Sequence, residues 1–210
     1  LDLIRKDWFM TSGRKMSTGN DVRQAVNSMR NFGNHFVENV VNTVDNDGNT
    51  TLHYAVSHAN APVIEVLLDT GVCDVNKQNN AGYTSSMLAA LLVDDVQRHR
   101  PLLKKLFDSG DINAASERSG QTALMLASSH GREDMVSLLL ECQADINMQD
   151  EDGSTALMCA SEHGHINIIK ILLASPLCNS SLSDVDGSTA LSIAMEEGHQ
   201  DIGVLIYAHV

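Results

Sequence analysis

The run Gly153-Ser154-Thr155-Ala156-Leu157-Met158-Cys159-Ala160 decides the fold, because the chain repeats it. Further copies begin at Gly48, Gly82, Gly120 and Gly187, so that successive glycines are 34, 38, 33 and 34 residues apart. Self-similarity at a fixed period predicts a stack of small structural units, each packed only against its neighbours.

Each copy predicts the same order of elements. Asp or Asn and then glycine form a turn, because glycine tolerates a positive φ angle. The threonine two residues after the glycine caps a short helix. A glycine turn such as His163-Gly164-His165 ends that helix, and an apolar run such as Ile168–Leu173 begins a second one. This order at a period near 33 residues is typical of ankyrin repeats.

We therefore predict an all-α ankyrin-repeat solenoid of five helix-turn-helix repeats with an N-terminal helical cap. The cap takes residues 1–42, and the ankyrin repeat domain takes residues 43–210. The repeats lie near residues 45–77, 78–115, 116–148, 149–182 and 183–210.

The second repeat departs from the pattern in two places. Ser86 occupies the position where the other copies have a core leucine. The segment Asp94–Arg100 lengthens the join between the two helices, and Pro101 is expected to start the second helix, since proline suits a first helical position. Both features predict a locally weaker layer.

Composition and charge restrict the partners. The formal net charge is −13, so nucleic acid is not expected to bind and a basic polypeptide is the natural complement. No apolar run approaches the ~20 residues that cross a bilayer, so we expect no membrane span.

The four cysteines include no C-x-x-C pair, which favours reduced thiols in the cytoplasm. The chain starts with Leu1, and we expect it to be a piece of a longer protein.

The sequence indicates no enzyme and no cofactor. It contains no phosphate loop, no G-x-S-x-G and no H-E-x-x-H. The pair His163-x-His165 resembles a metal-ligand pair, but Gly164 separates the two histidines at a helix end and no cysteine or carboxylate stands at ligand spacing. We predict no catalytic residue and no metal site.

Matching positions in the copies predict a groove for a partner. The residue five places after the glycine is Met87, Met125 and Met158 in the second, third and fourth repeats. These methionines either form an adaptable apolar floor of the groove or pack as filler between the repeats. The residue directly after the glycine is Tyr83, Gln121 or Ser154, and we expect Tyr83 to be an aromatic anchor.

Acidic residues give the predicted groove its charge. Asp45, Asp150 and Asp184 are explained as turn formers, whereas Glu151 and Asp152 are not. Glu162 at the end of the first helix, and His130 at a helix end in the third repeat, complete the predicted partner-binding set. We predict a short, basic, amphipathic and helical segment in a groove centred on repeats two to four.

Several stretches are more specific than a generic ankyrin repeat. They are Asn49–Asn60, Leu68–Cys73, Asn79–Thr84, Gly120–Ala127 and Asp152–Met158. These stretches resemble the C-terminal ankyrin domain of the KANK proteins, and the resemblance covers most of residues 38–210.

The resemblance implies a cytoplasmic adaptor at the cell cortex. In the KANK family the ankyrin domain captures a short segment of a kinesin-4 motor, while N-terminal parts that are absent from this chain bind talin and liprin. Together these contacts tie cortical microtubule complexes to adhesions and temper actin assembly. The resemblance thus implies a kinesin-4 segment as the partner of this chain.

Two further readings stay open. The chain could be an ankyrin regulator that masks a transcription factor or targets a phosphatase, although such domains lack the sequences found at residues 68–73 and 79–84. Asn76, Asn113 or Asn147 could also serve as a substrate for asparagine hydroxylation, which mass spectrometry would detect.

Overall fold

The computed structural model describes residues 2–209 and is all-α over that range. The chain divides into two compact units, Leu1–Asp111 (unit 1) and Ile112–Val210 (unit 2). Unit 1 contains seven helices: α1 (Asp2–Ser12), α2 (Gly19–Arg30), α3 (Asn34–Val41), α4 (Thr51–Ser57), α5 (Ala61–Asp69), α6 (Ser85–Leu92) and α7 (Val96–Asp108). Unit 2 contains six: α8 (Ala123–Ser129), α9 (Glu133–Glu141), α10 (Ala156–Glu162), α11 (Ile166–Leu173), α12 (Ala190–Glu196) and α13 (Gln200–His209).

Unit 2 consists of two helical layers. The first helices of its repeats, α8, α10 and α12, pack side by side and form the inner layer. The second helices, α9, α11 and α13, form the outer layer, and each packs on the first helix of its own repeat. The core between the layers is aliphatic: Leu139, Ile169 and Leu172 are fully buried. This is the packing that the repeated apolar pattern predicts, and the predicted ankyrin-repeat solenoid is confirmed.

The turns have the predicted chemistry. The five turn glycines have φ angles between 71° and 85°, a region that side chains other than glycine adopt at a cost. In the fourth repeat the Asp150 carboxylate accepts hydrogen bonds from the backbone N–H groups of Asp152 at 3.1 Å and Ser154 at 2.7 Å. Neighbouring turns are joined, because the Val185 N–H donates to the Asp152 carbonyl at 2.9 Å.

Threonine caps every first helix of the five repeats. The hydroxyl of Thr155 accepts from the N–H of Met158 at 3.3 Å, and the same contact recurs with Thr50, Thr84, Thr122 and Thr189. A capping threonine contributes about 1 kcal/mol to helix stability. The predicted helix starts are therefore confirmed.

The N-terminal residues pack in the same way as a repeat. Helix α1 packs on α4, and α2 packs on α5, so the two helices extend the two layers of unit 1. The Asn42 amide oxygen accepts from the Asp74 N–H at 2.7 Å, as the Asn76 oxygen does from the Asp111 N–H at 2.8 Å. Residues that we predicted as capping helices thus carry one of the links between repeats.

The expected start of the second helix in repeat two is wrong. Helix α7 begins at Val96, five residues before Pro101, because the Asp95 carboxylate caps it by accepting from the Arg98 N–H at 3.0 Å. Pro101 lies inside the helix, where its missing N–H removes one bond of the helical ladder. The extra residues of this repeat therefore lengthen a helix, and only Val93–Asp95 remain as the join.

Candidate protein-binding face

The candidate site is the inner face of unit 2, defined as the turns that precede α8, α10 and α12 together with the exposed ends of those helices. Little of helix α10 itself is accessible: Ala156 to Ser161 are buried, and only Glu162 is exposed. The accessible side chains of this repeat are therefore at the turn and at the far end of the helix, which rises about 10 Å over its seven residues.

The turn carboxylates divide into two groups. Asp150 and Asp184 accept backbone hydrogen bonds within their own turns, which confirms that they are turn formers. Glu151, Asp152 and Asp186 are exposed, and within residues 2–209 no side chain donates to their carboxylates. The side chains at the second and third positions of the turn are thus available to a partner.

The negative charge is concentrated in unit 2. Residues 112–210 hold fourteen Asp and Glu against three Lys and Arg, a formal net charge of −11. Residues 1–111 hold thirteen against eleven, a formal net charge of −2. Most of the field that would attract a basic partner therefore originates from unit 2.

The structure contradicts the predicted methionine floor. Met87, Met125 and Met158 are exposed by only 0%, 1% and 2%. Each thioether folds back onto the start of its own helix, where Sδ accepts from the capping threonine's N–H at 3.4 Å. The methionines are the third helical residues of a capping box, so they are packed within the repeats and do not line a groove.

The remaining predicted residues are at least partly accessible. Tyr83 belongs to unit 1 and is half-buried, and its backbone is held by Asn79, whose side-chain oxygen accepts from the Tyr83 N–H at 3.0 Å. Gln121 and Ser154 are half-buried at the corresponding turns of unit 2. His130 is exposed at the end of α8, and its Nδ1 lies 2.9 Å from the Leu126 carbonyl.

One structural histidine is absent from the predicted partner-binding set. His53 is buried in unit 1 at the position that the methionines take in later repeats. Its Nδ1 accepts from the Thr50 N–H at 3.1 Å, so Nε2 carries the proton and donates to the Tyr83 carbonyl of the next repeat at 3.0 Å. Burial lowers the pKa of His53 below 6.5. This effect outweighs the hydrogen bonds to the backbone of Tyr83 and Lys77 and the nearby carboxylates, which favour protonation. A neutral imidazole therefore joins two repeats.

The histidine pair and the cysteines have structural environments. The rings of His163 and His165 stack at 6.1 Å, and each ring has a nitrogen within 3.0 Å of a backbone carbonyl, of Cys159 and Ser129 respectively. Burial raises the pKa of the Cys159 thiol to about 12. No group of three His, Cys, Asp or Glu side chains among the described residues is arranged to hold a metal ion. Over the same residues no helix is long and apolar enough to cross a membrane.

Two family models match the chain and agree with this geometry. A model of ankyrin repeats in three copies matches residues 22–116 and 142–209, and a model of a single ankyrin repeat matches residues 119–151. The chain therefore belongs to the ankyrin repeat family. Proteins of this family are typically interaction modules without catalytic activity, and this chain is accordingly a protein–protein interaction module.

Proposed function

We propose that the inner face of unit 2 binds a short, basic and amphipathic segment of a kinesin-4 motor. The observation that carries the proposal is the pair Glu151 and Asp152, two adjacent exposed carboxylates on one turn without a donor side chain, in a unit of net charge −11. The resemblance of residues 38–210 to the KANK ankyrin domain supplies the identity of the partner.

Charge selects the partner's sign. Exposed carboxylates of one sign steer a basic segment to the face and set its register, and they act mainly through the association rate. Glu162, Glu196 and Glu197 add charge at the far ends of α10 and α12, about one helix length from the turns. A helical segment with basic residues on one side can contact both rows.

The apolar contact at the turns of this face is small. Because Met125 and Met158 are buried, the partner's apolar side chains meet residues such as Val185, which is 70% exposed at the turn before α12. A segment that is disordered when free also loses conformational entropy on binding. We therefore expect an affinity between micromolar and nanomolar.

The cellular role follows from the same resemblance. We propose that the chain acts in the cytoplasm at the cell cortex, as the motor-binding part of an adaptor that links microtubule complexes to adhesions and regulates actin. Talin and liprin would bind other parts of such an adaptor.

Fluorescence anisotropy with a labelled basic, leucine-bearing kinesin-4 segment tests the proposal. We expect binding to the full chain and a loss of at least tenfold in affinity for the double variant Glu151→Lys and Asp152→Lys. The matched control reverses Glu133 and Asp134, two adjacent exposed acids at the start of the outer helix α9, and should change affinity less than threefold.

Two outcomes would contradict the proposal. One is equal weakening by both double variants, which would show that only the total charge matters. The other is tighter binding to transcription-factor or phosphatase segments in the same assay, which would favour the alternative regulatory role.

A further inference from the structure

A cleft lies in unit 1, between helix α1 and the turn that precedes α4. It has a volume of about 510 Å³, which is within the range of sites that hold small ligands or a few side chains of a peptide. Phe9 and Met10 of α1 line one side, and Val44 and Tyr54 line the other. None of the positions predicted to bind a partner is in this cleft.

The floor of the cleft is fixed by aromatic and polar contacts. The rings of Phe9 and Tyr54 meet edge to face, with centroids 6.3 Å apart and an angle of 84°. The Tyr54 hydroxyl donates to the Asp45 carboxylate, and the hydroxyls of Ser12 and Thr51 lie 3.2 Å apart, which joins α1 to α4. The cleft is thus preformed, so a ligand does not have to order it.

Apolar side chains remain accessible at the mouth of the cleft. Met10 is 49% exposed and Val44 is 39% exposed. The half-buried rings of Phe9 and Tyr54 line the same cleft. An unbranched methionine adapts to side chains of different shape.

Two of the three charged side chains that line this cleft are positive, in contrast to the mainly acidic unit 2. Its one lining carboxylate, Asp45, already accepts from the backbone N–H groups of Asp47 at 3.0 Å and Asn49 at 2.9 Å and from the Tyr54 hydroxyl. The other charged residues of the lining are Arg5 and Lys6, both exposed on α1. A ligand in the cleft therefore meets cationic groups beside an apolar floor.

We infer that this cleft is a docking site for an acidic segment that carries a leucine or phenylalanine. The apolar side chain enters between Met10 and Val44 and covers the two rings, while flanking carboxylates lie beside Arg5 and Lys6. The preferred charge is opposite to that of the segment proposed for unit 2, so the two sites take different ligands, or differently charged parts of one ligand.

Fluorescence anisotropy with two labelled twelve-residue peptides, one of glutamates and leucines and one of lysines and leucines, tests this inference on the full chain. We expect Lys6→Glu to weaken binding of the glutamate peptide at least fivefold. Lys15→Glu makes the same charge change on an exposed residue outside the cleft and should alter binding less than twofold.

A second matched pair tests the apolar part. Met10→Ser should weaken the glutamate peptide at least threefold, and Met16→Ser, at a methionine that is 87% exposed elsewhere, should leave it unchanged. The emission of Trp8, which is buried on α1, reports whether each variant keeps the helix in place.

Equal effects of Lys6→Glu and Lys15→Glu, or no binding of the glutamate peptide to the unmodified chain, would overturn the inference. Reversal of Glu151 and Asp152 in unit 2 should leave the glutamate peptide bound or tighten it through the lower net charge. Loss of kinesin-segment binding with retained glutamate-peptide binding, or the reverse, shows which of the two sites has failed.

Discussion

Replacement of His53 by methionine tests how the first two repeats are joined. The chain itself has methionine at this position in its second, third and fourth repeats, so the side chain fits the local geometry. The variant keeps a sulfur acceptor for the Thr50 N–H and loses the 3.0 Å hydrogen bond from His53 to the Tyr83 carbonyl. That carbonyl retains a second bond, because the Asn79 N–H donates to it at 3.0 Å.

The expected cost is therefore moderate. A net hydrogen bond contributes about 0.5–1.5 kcal/mol, and a weaker cap adds some tenths, so we expect a loss of about 1–2 kcal/mol in the free energy of unfolding. Urea denaturation followed by the emission of Trp8, the single tryptophan of the chain, measures the change. With a slope of about 2 kcal/mol per molar, the midpoint should fall by about 0.5–1 M.

The dependence on pH gives a second readout of the same variant. The pKa of His53 is lowered in the folded state, so below pH about 6.5 the unfolded chain binds a proton that the folded chain does not. The stability contribution of His53 is complete above that pH and decreases as the pH falls toward the folded pKa. The His53→Met variant should lose less stability than the unmodified chain between pH 7.5 and 5.5.

His35→Met is the matched control, because the His35 side chain is 87% exposed. It should leave the urea midpoint at pH 7.5 unchanged. An unchanged urea midpoint for His53→Met at pH 7.5 would refute this account of the joint between repeats. The same loss of stability between pH 7.5 and 5.5 in His53→Met and in the unmodified chain would refute it as well.

Three further changes test the packing of the repeats. Leu157→Ala removes a core side chain that is 2% exposed and should cost about 2–5 kcal/mol in a chemical denaturation curve. Gly153→Ala should cost more free energy of unfolding than Gly187→Ala in the same assay. Both glycines have positive φ, but only at Gly153 would the new Cβ lie 2.9 Å from a neighbouring backbone atom, the Asp184 Cα. Equal costs would contradict the close approach of the turns. Pro101→Ala should raise the thermal midpoint, since it permits a further helical hydrogen bond inside α7 and removes the clash of the proline ring with the preceding turn, which together are worth about 1–3 kcal/mol. A lower midpoint would show that the helix depends on the proline.

Most of the fold could be read from the sequence because local and tertiary signals coincide in four of the five repeats. The turn Asp, the glycine and the capping threonine each satisfy backbone groups within a few residues, so their roles do not depend on distant structure. The apolar positions of the second helices repeat at helical spacing and are buried as expected, as Ile168 and Leu172 show.

The second repeat could not be placed as well. Pro101 favours the start of a helix locally, but Asp95 offers a competing cap for a helix that starts five residues earlier. The local preference is outweighed by the Asp95 cap and by the burial of Val96, which lies before Pro101.

The candidate site was predicted in part. A turn carboxylate that bonds its own backbone is recognised by its position, which separates Asp150 from Glu151. A methionine five residues after a turn glycine gives no such signal, because either face of a seven-residue helix can take it. His53, at the same offset in the first repeat, has a side-chain acceptor that can complete a capping box. This was the one sequence feature that indicated a capping role for the position.

The association rate of the kinesin-4 segment as a function of ionic strength tests the central claim most directly. Stopped-flow measurements between 20 and 300 mM salt should show a rate that falls steeply for the unmodified chain, as expected for attraction to exposed carboxylates that salt screens. The Glu151→Lys and Asp152→Lys double variant should associate about tenfold more slowly at low salt and depend less on salt. The same rates and the same salt dependence in both chains would contradict an acidic inner face that selects its partner.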